Sequence, residues 1–115
     1  MEISTNRSKD FLNILNERIA ILDGAMGTMV HALGLDEQGF RGEPFRDNER
    51  DLKNCIDALT LSQPDAIKQI HASFLEAGAD IVETNTFGAT PVALADFGLQ
   101  DHTRELNLAA CRIAR

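Results

Sequence analysis

The sequence predicts a parallel α/β unit that is incomplete as a fold. Three observations carry this expectation. Ile19-Ala20-Ile21-Leu22 is a continuous aliphatic run closed by the turn signal Asp23-Gly24, as in a strand buried on both faces. A second run, Ile81-Val82, leads into the polar stretch Glu83-Thr84-Asn85-Thr86. A well-marked helix lies between them, and a helical crossover implies that the two strands pair in parallel.

The elements follow in order along the chain. A first helix is expected over residues 8–16, where Phe11, Ile14 and Leu15 fall at helical spacing. The first strand comes next, and a further helix is expected to start at about Met26. Residues 34–61 read as a long irregular connection carrying Gly39, Gly42, Pro44 and several charges. Connections of that length are usually functional or disordered. This one follows the carboxyl end of a strand, where α/β proteins place their sites. Ser62 reads as an N-cap, with Pro64 in the first turn and Asp65 three residues after the cap. Ile67, Ile70, Phe74 and Leu75 form one apolar face of that helix, and Gly78 reads as its left-handed terminator. Thr90-Pro91 marks another start, for a short helix to about Phe97 that stops at Gly98. A last helix begins near Thr103, and Leu106, Ala109, Ala110 and Ile113 keep the apolar period up to Arg115. A helix that reaches Arg115 without a cap reads as a cut within a larger unit. The expectation is therefore that residues 1–115 are the N-terminal portion of a domain, truncated at Arg115.

Composition narrows the function classes. With 43% hydrophobic and 25% charged residues, the chain is in the range of a globular domain and outside that of disordered or collagen-like chains. Eleven Lys and Arg against 18 Asp and Glu give a formal charge of −7, with no Trp or Tyr. That balance disfavours nucleic acid and anionic membrane as partners. No apolar stretch approaches the roughly 20 residues that span a bilayer. Residues 1–10 are polar and lack an apolar signal core, so the Asn6-Arg7-Ser8 sequon carries no weight. Cys55 and Cys111 have neither metal nor redox spacing, which fits inert thiols in a reduced, cytoplasmic compartment.

The sharpest local signal is Asp23-Gly24-Ala25-Met26-Gly27. A carboxylate at a strand's end suits an ammonium group. The glycines let backbone N–H groups approach a carboxylate closely. Together they would grip an amino acid, although a tight turn linking strand to helix uses the same residues. A phosphate loop fits less well, since the pattern is neither GxGxxG nor Walker A and Asp23 would repel phosphate. Glu83-Thr84-Asn85-Thr86 would line the same rim, or cap the helix that follows. His31, His71 and His102 read as structural or surface residues. The Glu49-Arg50-Asp51-Leu52-Lys53 run reads as a solvated surface, and Met26 and Met29 as core.

These stretches resemble a known family. Leu22-Asp23-Gly24-Ala25-Met26-Gly27-Thr28-Met29, Arg41-Gly42-Glu43 and Asp51-Leu52-Lys53-Asn54 are similar to the N-terminal homocysteine module of the cobalamin-dependent methionine synthases. So are Pro64-Asp65-Ala66-Ile67, His71, and the run from Glu76-Ala77-Gly78-Ala79-Asp80 through Ile81-Val82-Glu83-Thr84-Asn85-Thr86-Phe87. The resemblance covers residues 16–115, and the wider group is the homocysteine S-methyltransferases.

That resemblance implies the start of a (β/α)8 TIM barrel: an N-terminal helix and about two βα units. Since such a barrel takes about 250 residues, this stretch by itself is expected neither to bury its strands nor to be active. The implied reaction moves a methyl group from methylcobalamin, recharged by 5-methyltetrahydrofolate on other modules of the same chain, to the zinc-activated thiol of homocysteine. Methionine is the product. The family's zinc cysteines include an adjacent pair that this sequence lacks, so zinc and cobalamin are expected to be held beyond Arg115. Carried over by position, Asp23 holds the homocysteine amino group, Gly24 gives backbone approach, and Glu83, Asn85 and Thr86 line the pocket. Two alternatives stay open: a cobalamin-free enzyme using betaine or a sulfonium donor, and a truncated, non-catalytic binding module.

Overall fold

A computed structural model describes residues 5–115. The first four residues of the polar N-terminal stretch, Met1 to Ser4, lie outside the described residues.

The fold is helical, and this corrects the expected fold class. α1 spans Thr5–Glu17, α2 Met26–His31, α3 Glu37–Arg41, α4 Leu59–Ser62, α5 Pro64–Glu76, α6 Pro91–Ala95 and α7 Thr103–Ala114, with 3-10 turns at Ile56–Ala58 and Gln100–His102. Among the described residues no sheet forms, so the chain is not an α/β TIM-barrel fragment built of βα units. The two runs read as strands meet at one isolated parallel bridge, Leu22 to Ile81. Three backbone bonds hold them there: Asp23 N–H to Ile81 O at 2.9 Å, Asp80 N–H to Ile21 O at 2.7 Å and Ile81 N–H to Ile21 O at 3.2 Å. The physical reason lies in burial. A parallel strand needs neighbours and covered faces. Here Ile19 is 86% exposed, and Ile21 and Leu22 are also exposed. The aliphatic run has the composition of a buried strand without the neighbours that would bury it.

The helices follow the expected signals more closely. α1 brackets the expected residues 8–16, but Phe11, Leu12 and Leu15 stay exposed on it. α5 begins at Pro64, yet Ser62 does not cap it. Ser62 ends α4 and its hydroxyl donates to Ala58 O at 3.2 Å, while Gln63 takes the cap position. α5 buries Ile67 and Ile70, half-buries Phe74, and leaves Leu75 outside. Gly78, at φ 113°, closes the helix in a Schellman arrangement. Its N–H reaches Leu75 O at 3.1 Å and Ala79 N–H reaches Phe74 O at 3.0 Å. The Thr90 hydroxyl caps α6 by accepting from Ala93 N–H at 3.2 Å, and Gly98 turns left-handed after it.

Residues 34–61 are not the irregular loop their composition implies. They hold α3, the first 3-10 turn and α4's beginning, and they supply much of the core: Phe40, Phe45, Leu52, Cys55, Ala58 and Leu59 are all buried. Glu37 organises the segment. Its carboxylate accepts from Leu52 N–H at 2.6 Å, Lys53 N–H at 2.7 Å and Arg41 Nε at 2.8 Å. Arg41 also donates to Asn48 O at 2.6 Å. The Glu49-Arg50-Asp51-Leu52-Lys53 run is therefore not purely solvated, since Leu52 is fully buried within it. Ile67 and Ile70 of α5, Leu94 of α6, Leu99, and Leu106 of α7 complete the core, with Met26 and Met29 packed against its edge.

Candidate functional site

The turn after Leu22 and the turn after Val82 lie side by side, because the bridge fixes their ends. Between them and the 3-10 turn at Ile56–Ala58 opens a cavity of about 450 Å3. That is the size of a small-molecule site. Asp23, Gly24, Glu83, Asn85 and Thr86 all line it, so the structure brings together the five residues singled out from sequence. Ala25, Met26 and Gly27 continue the wall on one side and Thr84, Phe87 and Gly88 on the other.

The five do different things locally. Asp23 Oδ2 accepts from Glu83 N–H at 3.1 Å, which ties the two turns together. Among the described residues its carboxylate makes no other hydrogen bond. The Glu83 side chain is exposed at the rim. Gly24 is a packing requirement: a Cβ there would stand 2.8 Å from Cε1 of Phe74. Asn85 is 5% exposed, and both amide hydrogens are engaged, with Ile56 O at 2.9 Å and Thr60 Oγ1 at 3.1 Å. It fastens the second turn to the 56–60 segment. The Thr86 hydroxyl pairs with that of Thr84 at 2.7 Å. Phe87 projects fully into solvent at the lip.

Sequence reasoning missed five lining residues: Asn54, Cys55, Ile56, Asp57 and Phe97. Asn54 has φ 74°, a left-handed conformation that Asn tolerates better than most residues. Cys55 is buried, and desolvation pushes its thiol up to about 11, with a smaller opposing pull from Ala58 N–H. It is protonated at neutral pH and therefore a weak nucleophile. Asp57 is half-buried; burial raises its carboxyl, and Gly88 N–H, bonded to Oδ1 at 3.1 Å, pulls it back down. The available signal was a carboxylate inside an otherwise apolar run, Cys55-Ile56-Asp57-Ala58-Leu59.

The histidines stand apart from the lining. His31 is exposed, and His102 faces Glu105 at 3.1 Å and meets Phe45 edge-on at 5.3 Å. His71, on α5, is 3% exposed, with neither ring nitrogen bonded among the described residues. Burial lowers its pKa, and the Asp23 charge opposes that.

A family model for homocysteine S-methyltransferase matches residues 20–115. The chain belongs to the homocysteine S-methyltransferase family. The match spans both cavity turns, the 56–60 segment and α5 between them. Among the described residues no group of three or more His, Cys, Asp or Glu could hold a metal ion. The described residues by themselves therefore do not make a zinc centre. No helix among the described residues is long and apolar enough to cross a membrane.

Proposed function

We propose that the cavity binds homocysteine, and that the protein moves a methyl group onto its thiol to give methionine. Family membership supports the reaction. The observation that supports the site is the convergence of Asp23 and Glu83, 60 residues apart in sequence, on one cavity, with no Lys, Arg or His among the described residues lining it. A carboxylate wall without cations attracts an ammonium group and repels anions such as phosphates. Asp23 holds the homocysteine ammonium through a charge-assisted bond. Glu83 adds a second negative charge at the rim. The backbone at Gly24 and Gly27 lies open to the substrate carboxylate. The apolar side chains of Met26, Ile56 and Phe97 accommodate the substrate's methylene carbons. The substrate thiolate is the nucleophile, and the protonated Cys55 does not compete with it for the methyl group.

The methyl donor rests on resemblance alone. Arg41-Gly42-Glu43 and the run through Phe87 support methylcobalamin, with its recharging by methyltetrahydrofolate, over betaine or a sulfonium compound. The two cysteines, both free of a disulfide, agree with a reducing cytoplasmic setting.

In the intact enzyme, Asp23→Ala tests the site. Losing one charge-assisted contact is expected to cost roughly 1.5–3 kcal/mol of homocysteine binding, read as an increase in KM of about 10- to 150-fold. An unchanged homocysteine KM would remove Asp23 from the site. Supplying methylcobalamin, betaine and a sulfonium donor in turn identifies the branch.

A further inference from the structure

We infer that Asp57 is a positioning residue of the cavity: its carboxylate clamps the rim from Glu83 to Gly88 in the place where that rim meets homocysteine. The inference rests on the homocysteine reading above and adds a residue outside the two turns on which that reading stands. Three observations carry it. Gly88 N–H donates to Asp57 Oδ1 at 3.1 Å. The other carboxylate oxygen lies so close to Gly88 that a Cβ there would stand 2.7 Å from Oδ2, a contact real side chains do not make. The same 56–60 segment holds the rim a second time, through Asn85 Nδ2 to Ile56 O and to Thr60 Oγ1. Glu83, Thr84 and Thr86 face the cavity from a stretch fastened at Asn85 and at Gly88. Asn85 and Asp57 both line the cavity, so both fastenings lie in its wall, and Asp57 is the one that holds the rim at its Gly88 end.

Rigid placement of binding groups lowers the ordering cost of binding. A residue that only holds the rim therefore changes homocysteine affinity without touching the reacting sulfur. Asp57→Ala is expected to raise the homocysteine KM about tenfold with kcat within about twofold, the pattern of lost binding rather than lost chemistry. Asp57→Asn keeps an oxygen that accepts from Gly88 N–H, and is expected to restore KM to within about threefold of the native value. Amide hydrogen exchange supplies a readout independent of substrate: the Gly88 amide exchanges faster in Asp57→Ala, while core amides such as Leu106 keep their protection. Should Asp57→Ala not fold, Gly88→Ala asks the same question, because its methyl drives the rim off an intact carboxylate. Gly88→Ala is expected to raise KM as Asp57→Ala does, with kcat within about twofold, and a native KM in folded Gly88→Ala overturns the positioning role.

A native Gly88 exchange rate in folded Asp57→Ala overturns the clamp. Faster Gly88 exchange with an unchanged KM overturns its positioning role. If the native protein binds no homocysteine, or Asp23→Ala leaves binding intact, the homocysteine reading fails by itself, and Gly88 exchange still decides whether Asp57 holds the rim.

Discussion

His71 is a buried imidazole on α5 whose two nitrogens find no hydrogen-bond partner among the described residues. An unsatisfied buried polar group costs about 1–3 kcal/mol, and removing it in favour of an apolar group of similar size recovers part of that. His71→Leu is therefore expected to raise stability at pH 7 by about 1 kcal/mol in a denaturant melt. A clear loss of stability would show that the ring serves the fold in some other way. Burial lowers the folded-state pKa below the ordinary 6.5. The folded protein thus binds fewer protons than the unfolded chain just below that value. His71's share of stability is complete above pH 6.5 and is lost as pH falls toward its folded value. His71→Leu is expected to flatten the stability profile in that window.

Glu37 shows how one carboxylate joins elements that sequence periodicity treats as unrelated. Burial alone would raise its pKa, but Leu52 N–H, Lys53 N–H and Arg41 together hold it below the usual range. Glu37→Ala leaves the N–H of the fully buried Leu52 without its acceptor. The expected cost is roughly 1.5–3 kcal/mol at neutral pH, measured by urea denaturation. Much of the element order was legible in the sequence because its signals are local. Thr90-Pro91 caps α6, and Gly78 and Gly98 end their helices by turning left-handed. The 34–61 segment was not legible, because Phe40, Phe45 and Leu52 are spaced by the loop's tertiary path and follow no helical or strand period. The strands were misread for a related reason. Ile19-Ala20-Ile21-Leu22 has strand composition, but pairing depends on neighbours that composition does not report. At the site, Asp23 and Glu83 stood out as carboxylates at the ends of apolar runs. Asp57 did not, because its partner Gly88 lies 31 residues away.

Across the whole molecule, one ion pair ties the end of α1 to the turn before the cavity. Arg18 grips Asp80 with both nitrogens at 2.6 Å, and Asp80 Oδ2 also accepts from Ile21 N–H at 2.8 Å. The Arg18 bond, the Ile21 N–H bond and the guanidinium charge together hold the Asp80 carboxyl down to about 2 against the opposing effect of burial. A lowered carboxylate pKa contributes stability that is complete above about 3.8 and is lost as pH falls toward 2. Asp80→Asn is expected to lower the melting temperature at pH 7 and to remove this acid-dependent loss, by thermal melts between pH 2 and 7. An unchanged profile would mean that the pair contributes nothing to the fold.

The cavity lip offers a consequence of another kind. Phe87 stands wholly outside the protein at the mouth, touching the solvent on all sides. The chain contains no tryptophan or tyrosine. It is therefore almost dark under excitation near 295 nm, and an indole placed at position 87 would be its one emitter there. Its colour would follow how wet the mouth is, turning an ordinary fluorimeter into a gauge of whether the cavity is open or filled.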